Sequence, residues 1–150
     1  MKKTLATLVL VSFAGAAMAQ QALKPEEMIK YRKAAMNFMG WNMGKIKASL
    51  DGTFNAEQVV AAANALAATA NSGLGALHGP GSDKDAGGEK TRLKSEYFQN
   101  QDKVREVAMN FNKEANELAK VAATGDKAAI QAQFGKTGAA CKACHDSFRN

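Results

Sequence analysis

Cys141-Lys142-Ala143-Cys144-His145, within the last ten residues of the chain, sets two thiols three positions apart with an imidazole beside the second. Such residues serve several chemistries. A dithiol can cycle as a thioredoxin-like redox pair, cysteine and histidine can ligate zinc, and two thiols with an adjacent histidine can attach a haem. The redox pair belongs with a strand and helix pattern that this chain lacks. Zinc would find Cys144 and His145 adjacent, an awkward pairing for one tetrahedral ion, with only His78 as a distant fourth ligand. A disulfide across so short a loop adds little stability and leaves His145 without a role. The haem reading uses all three side chains. At about 100° per residue, Cys141, Cys144, His145 and Phe148 fall within roughly a third of a helix circumference. Both thiols can then add to the two vinyl groups of one porphyrin, and the histidine can reach the iron from the same side.

The elements that must position this face read as four helices, with no convincing strand. The first opens at Pro25, suited to a first turn because its missing N–H is not needed there, and Glu26 and Glu27 favour the positive helix end. Met28, Arg32, Ala35, Met36, Met39, Met43, Ile46 and Leu50 follow in steps of three and four as far as Asp51-Gly52. A second helix begins after Asn55, which with Gln58 resembles a capping box, and carries Val59, Ala63, Leu66, Ala70, Leu74 and Leu77 on one side. A glycine-rich, charged loop runs from Gly79 to about Lys94. Ser95 can cap a third helix with Tyr97, Gln101, Val104, Ala108, Phe111, Ala115, Leu118 and Ala122 in register, up to Thr124-Gly125. Asp126 offers the cap for a fourth, which carries Ile130, Phe134, Thr137, Cys141, Cys144 and Phe148 and is weakened by Gly135 and Gly138. Four amphipathic helices joined by one medium loop and two short ones predict an all-α fold, an antiparallel up-down four-helix bundle with covalently bound haem. Near the end of the second helix, His78 reads as a surface residue that suits the negative helix terminus rather than as a ligand.

Residues 1–19 read as a signal peptide: Lys2 and Lys3, an apolar run from Leu5 to Ala14 too short to span a bilayer, and a small-x-small site at Ala17-Met18-Ala19. Residues 20–150 then form one haem domain, starting at Gln20. Removing Lys2 and Lys3 from the 20 basic residues leaves 18 against 14 acidic ones, a net charge of +4. So mild an excess does not argue for nucleic acid. No later segment is apolar and long enough for a membrane span, which points to an exported protein of the periplasm.

The chain resembles the class II c-type cytochromes, in particular the cytochrome c prime family. The resemblance covers nearly all of the mature chain: Lys24-Pro25-Glu26, Tyr31-Arg32-Lys33-Ala34-Ala35-Met36, Gly79-Pro80-Gly81, Thr91-Arg92, and the stretch from Gly138 to Arg149. It implies one covalent haem c held by Cys141 and Cys144, with His145 as the axial iron ligand, in a protein that is commonly a homodimer. It further implies that Arg32 lies by a haem propionate, that Lys33 approaches the haem, and that Thr91 or Arg92 contacts its edge. Arg149 matches the arginine beside the proximal histidine, and Phe98 occupies a position where relatives often carry tryptophan. The plain alternative for Arg32 is a solvated charge. Its place within the apolar side argues against that, because a buried guanidinium needs an anionic partner and a propionate supplies one.

The same resemblance implies that Met36 falls where the first helix covers the distal side of the iron. Thioether ligation there would favour simple electron transfer, whereas a non-bonding methionine would leave a crowded site for nitric oxide or carbon monoxide. Packing alone is a further role, since methionine fills gaps and Met28, Met39 and Met43 share the stripe. The leading expectation is a carrier of one electron between periplasmic redox partners, and the competing one is a gas-binding haem protein. A peroxidase would want a distal acid–base group, where the chain offers Ala35, Met39 and Gly40, so no enzyme is expected. Phe38 and Trp41 lie off the main apolar stripe and read as a patch for a partner helix, the alternative being a cover for the haem or the bundle's own seam.

Overall fold

A computed structural model of the chain describes residues 22–150; the signal peptide reading, 1–19, lies outside the described residues. Five helices follow in order: α1 (Pro25–Asp51), α2 (Ala56–Ala70), the single turn α3 (Glu96–Gln99), α4 (Gln101–Ala122) and α5 (Lys127–Phe148). Among the described residues there is no strand, only isolated bridges at Ala86–Glu89 and Leu93–Arg149. The four long helices form the expected up-down bundle.

Local chemistry fixes most of the boundaries. Pro25 opens α1, and Glu27 reaches back to accept the Lys24 N–H at 2.9 Å. The Asn55 side chain accepts the Gln58 N–H at 2.9 Å to cap α2, and the Asn55 N–H is itself held by the Ser49 hydroxyl of α1 at 2.8 Å. That exchange ties the α1–α2 turn at both ends. Asp126 caps α5 by accepting the N–H groups of Ala128 and Ala129 at 2.9 and 3.1 Å.

Two helix limits differ from the periodicity. The apolar spacing carries α2 on to Leu77, but the helix stops at Ala70, where Ser72 bonds back to the Thr69 carbonyl and Gly73 takes a left-handed φ of +84°. Leu74 to Leu77 continue as a tighter 3-10 turn, so the apolar order survives while the helix does not. The third helix is broken at Asn100, whose backbone leaves helical values (φ −121°, ψ 53°) as its side-chain amide donates to the Glu96 carbonyl. Ser95 caps nothing; its hydroxyl donates to Asp83 at 2.6 Å.

Packing is uneven along the bundle. The main core joins Met39, Ile46 and Leu50 of α1 to Val59, Ala62, Ala63 and Leu66 of α2, then Ala115, Leu118 and Ala122 of α4 and Ile130 of α5. Alanines let these backbones approach closely. A second, smaller cluster of Val104, Val107 and Phe148, with Leu93, Tyr97 and Cys144 against it, occupies the other end. Helices α1–α2, α2–α4 and α4–α5 pack along their lengths, whereas α1 and α5 barely touch. The seam between α1 and α5 is therefore the loose one. Leu66 is fully buried in the main core, while Met109 is 65% exposed. Leu66→Ala should lower unfolding stability by about 2–5 kcal/mol. Met109→Ala should stay within about 0.5 kcal/mol of the parent in the same denaturant titration.

Candidate haem site

Helix α5 carries Cys141, Cys144 and His145 on one side near its C-terminal end, beside the loose seam with α1. Both cysteines are free thiols and half-buried. Burial raises the pKa of each, helped at Cys141 by the neighbouring Cys144, so both are kept as neutral S–H groups. His145 is exposed, and the Arg149 guanidinium, one turn on, donates to its Nδ1 at 3.4 Å. Arginine can only donate, so Nδ1 accepts and Nε2 carries the proton. Nε2 is thus the nitrogen that can exchange a proton for a metal.

An aromatic wall stands next to Cys144. Tyr97 meets Phe148 edge-on at 5.5 Å and Phe98 at 5.6 Å, and stacks on His78 at 4.8 Å with ring planes 15° apart. Phe98, placed by resemblance, is thus part of this wall. His78 is not the surface residue expected from sequence. It is half-buried, donates its Nδ1–H to the Leu74 carbonyl at 3.0 Å, and burial lowers its pKa to about 4. Charging the ring would strand a cation beside Arg32, which also opposes protonation.

The residues predicted on α1 and the loop divide into two groups. Arg32 is 7% exposed, but its partners are neutral oxygens rather than a carboxylate. One terminal nitrogen donates to the Leu77 carbonyl at 2.8 Å and the Ser82 hydroxyl at 3.0 Å, the other to the Ser82 carbonyl at 2.8 Å and the Thr91 hydroxyl at 2.7 Å. Desolvation lowers its pKa, opposed by Tyr97 and Asp83. Lys33 points outward to an ion pair with Glu89 at 2.7 Å. Arg92 is exposed, and its carbonyl accepts the Asn150 N–H at 2.9 Å. Met36 is 37% exposed. Fully buried Ser82, the main partner of Arg32, was not singled out from sequence, because a serine in a glycine-rich loop gives no signal of burial.

The donor set fits a haem attached through thioethers: two neutral thiols, an imidazole with Nε2 free of other bonds, and apolar and aromatic walls. Among the described residues no group of three His, Cys, Asp or Glu side chains could close around a free ion. A helical bundle with this triplet on its last helix defines the class of c-type haem cytochromes. The family model described as cytochrome C′ matches residues 27–149. Cytochrome c′ of Allochromatium vinosum is 55% identical over 146 residues, covering 97% of this chain and 94% of that protein. A solved cytochrome c′ described as having an unusual ligand-controlled dimer dissociation matches with a TM-score of 0.83 and 58% identity, over 85% of this chain and 97% of that one. A nitric oxide complex of a cytochrome c prime variant from Alcaligenes xylosoxidans matches with a TM-score of 0.74 at 29% identity, over 85% of this chain and 97% of that one. The chain belongs to the cytochrome c prime family, whose members bind covalent haem c.

The environment of His78 has a consequence for stability. Its pKa is about 4 when folded and ordinary, near 6.5, when unfolded, so the unfolded chain binds more protons between these values. The contribution of His78 is therefore complete above about pH 6.5 and is lost as pH falls towards 4. An NMR titration of the His78 ring should show it neutral at pH 5.5; a midpoint near 6.5 would contradict the stacked, buried placement.

Proposed function

We propose that the mature chain, residues 20–150, is a periplasmic haem c protein that carries one electron. The observation that carries this is the shared face of Cys141, Cys144 and His145 on α5, with Arg149 holding the imidazole at Nδ1. The two thiols hold the haem as thioethers, and His145 supplies the axial nitrogen through Nε2. When bound, the haem supplies a one-electron ferric/ferrous couple. Tyr97, Phe98 and Phe148 exclude water beside Cys144, which limits solvent reorganisation around a group whose charge changes. Thr91, Arg92 and Lys33 belong to the loop side, where the haem edge would lie, and Arg32 keeps its Nε–H as the N–H left for a propionate. Export follows from the reading of residues 1–19. No substrate is transformed, because the residues around Met36 bring no acid–base group.

A second reading keeps the sixth iron site for nitric oxide or carbon monoxide. Met36 belongs to neither hydrophobic cluster, so packing does not fix its thioether in place for a bond to the iron. The nitric oxide complex of the Alcaligenes xylosoxidans relative supports the same reading. Spectra in both oxidation states, with and without carbon monoxide, separate the two. The mass should equal residues 20–150 plus one haem. A low-spin spectrum that carbon monoxide leaves unchanged puts Met36 on the iron, and Met36→Leu should then open the site. A high-spin spectrum that the gas shifts supports the second reading and removes Met36 as a strong ligand.

The chain also pairs with a second copy through the outer side of α1. Tyr31, Phe38 and Trp41 are 50%, 46% and 59% exposed, and with Ala34 they repeat in steps of three and four, the spacing of a helix–helix seam. The Phe38 and Trp41 rings lie 5.8 Å apart, tilted by 38°, and the Lys45 ammonium lies 3.8 Å from the Trp41 ring. The dimer described for the solved relative supports this. Sedimentation of the haem-loaded protein at micromolar concentration should give a dimer, and Phe38→Glu with Trp41→Glu should give a monomer with an unchanged haem spectrum. A monomer in the parent protein would remove the interface.

A further inference from the structure

The loop between α2 and α3 has few apolar side chains to bury, yet Ser82 in its middle is fully buried, and the reason lies on α1. A guanidinium has five N–H groups, and the four terminal ones of Arg32 all bond to this loop, at Leu77, twice at Ser82, and at Thr91. The bonding continues beyond the arginine. The Thr91 hydroxyl donates to the Ser82 carbonyl at 3.2 Å and accepts the Leu93 N–H at 3.2 Å. The next residues pair with the end of α5: the Lys94 N–H donates to the Phe148 carbonyl, and the Asn150 N–H to the Arg92 carbonyl, each at 2.9 Å. An unbroken series of bonds thus leads from α1, one turn before Met36, to the backbone on either side of Arg149, the residue that holds His145.

We propose that Arg32 is a clasp, a positioning residue whose bonds to the loop from Leu77 to Thr91 set the distance between α1 and the C-terminal turn of α5. The two helices make few direct contacts with each other, so the clasp is the polar link between them, beside the packing that each makes with the rest of the bundle. The distance matters because Met36 stands on one side of the seam and His145 on the other. Arginine is required by geometry: its planar fork reaches four oxygens in two directions, whereas the three donors of a lysine radiate from a point. Neutral partners suffice because bonds from a charged donor are stronger than ordinary ones. The clasp goes beyond the choice between electron carrier and gas binder and holds under either.

The test uses the haem-loaded protein with Arg32→Lys and, separately, Ser82→Ala, a residue with no role at the haem in either reading. Amide exchange at Lys94 and Asn150 should accelerate by about tenfold in each variant, the loss expected for one charge-assisted hydrogen bond. Exchange at Leu118 in the main core should stay at the parent rate. The ferric absorption bands should move in the same direction in both variants, although Ser82→Ala changes no charge. If Arg32 served only a propionate, Arg32→Lys would retain the protection of Lys94 and Asn150, and Ser82→Ala would leave the spectrum untouched; either result overturns the clasp. Should Arg32→Lys fail to fold or load haem, exchange and spectrum of Ser82→Ala decide alone.

Discussion

The register of α5 against α4 governs everything at the site, because the three groups proposed to hold the haem, Cys141, Cys144 and His145, all stand on α5. One residue of slip would rotate them by about 100° and carry them off the seam. Apolar contacts alone would not resist this, since alanine-rich surfaces pack almost equally well after a small shift. The lock is polar. The Gln133 amide donates to the Glu114 carboxylate at 2.6 Å and to the Glu114 carbonyl at 3.2 Å, and the Thr137 hydroxyl donates to the same carbonyl at 3.1 Å. Gln133 is buried, so a shifted register would leave its amide unsatisfied, a penalty of about 1–3 kcal/mol, whereas the Thr137 hydroxyl would keep the Gln133 carbonyl, 3.0 Å away in its own helix. Thr137 lies one turn before Cys141, which places the lock directly behind the attachment site.

The same division between apolar pattern and polar detail explains what could be read from the chain. The triplet at Cys141, Cys144 and His145 and the four long helices are legible because spacing along a helix is a one-dimensional property. Caps at Asn55 and Asp126 are legible for the same reason, each acting on N–H groups two or three residues away. The loop from Leu77 to Lys94 is not. Its order comes from a guanidinium some 45 to 59 residues earlier, and a stretch of glycine, serine and charge gives no sign that it will be gripped from a distance. Arg32 could be recognised as buried, since it interrupts an apolar stripe, but the inference from burial to a carboxylate or propionate partner passes over backbone carbonyls, which satisfy a cation without leaving a trace in sequence. His78 illustrates the converse error. Proximity to a helix end suggests a charged, exposed imidazole, yet a tyrosine nineteen positions on covers its face.

Helix α1 shows why periodicity is weakest where function is densest. Its inner side, Met39, Ile46 and Leu50, belongs to the core; Arg32 and Met36 belong to the seam; Tyr31, Phe38 and Trp41 form the outer stripe. Three apolar or partly apolar sides on one helix blur any single stripe. Asn42 sits among them fully buried, with its amide nitrogen on the Phe38 carbonyl and its oxygen without a partner. A helix optimised for stability alone would place leucine there.

Because these three sides are carried by one rigid element, they cannot be displaced independently. A movement of α1 that widens the gap between Met36 and His145 must also shift the outer stripe by a comparable amount, unless the helix bends, and must pull on the four bonds of Arg32. The packed α1–α2 interface resists such movement at the core end of the helix, where Ile46 and Leu50 are buried against Val59 and Leu66. The N-terminal half has no equivalent anchor among apolar contacts with α5. In that half Met28 and Ile29 are buried, so packing on the inner side and the four bonds of Arg32 hold it together. Hydrogen bonds can be broken and remade with small changes in geometry, whereas a packed core has discrete arrangements. A site that would hold a cofactor firmly on one side and leave its other side adjustable is served by a polar register lock on α5 and, facing it, a helix that α5 itself barely contacts.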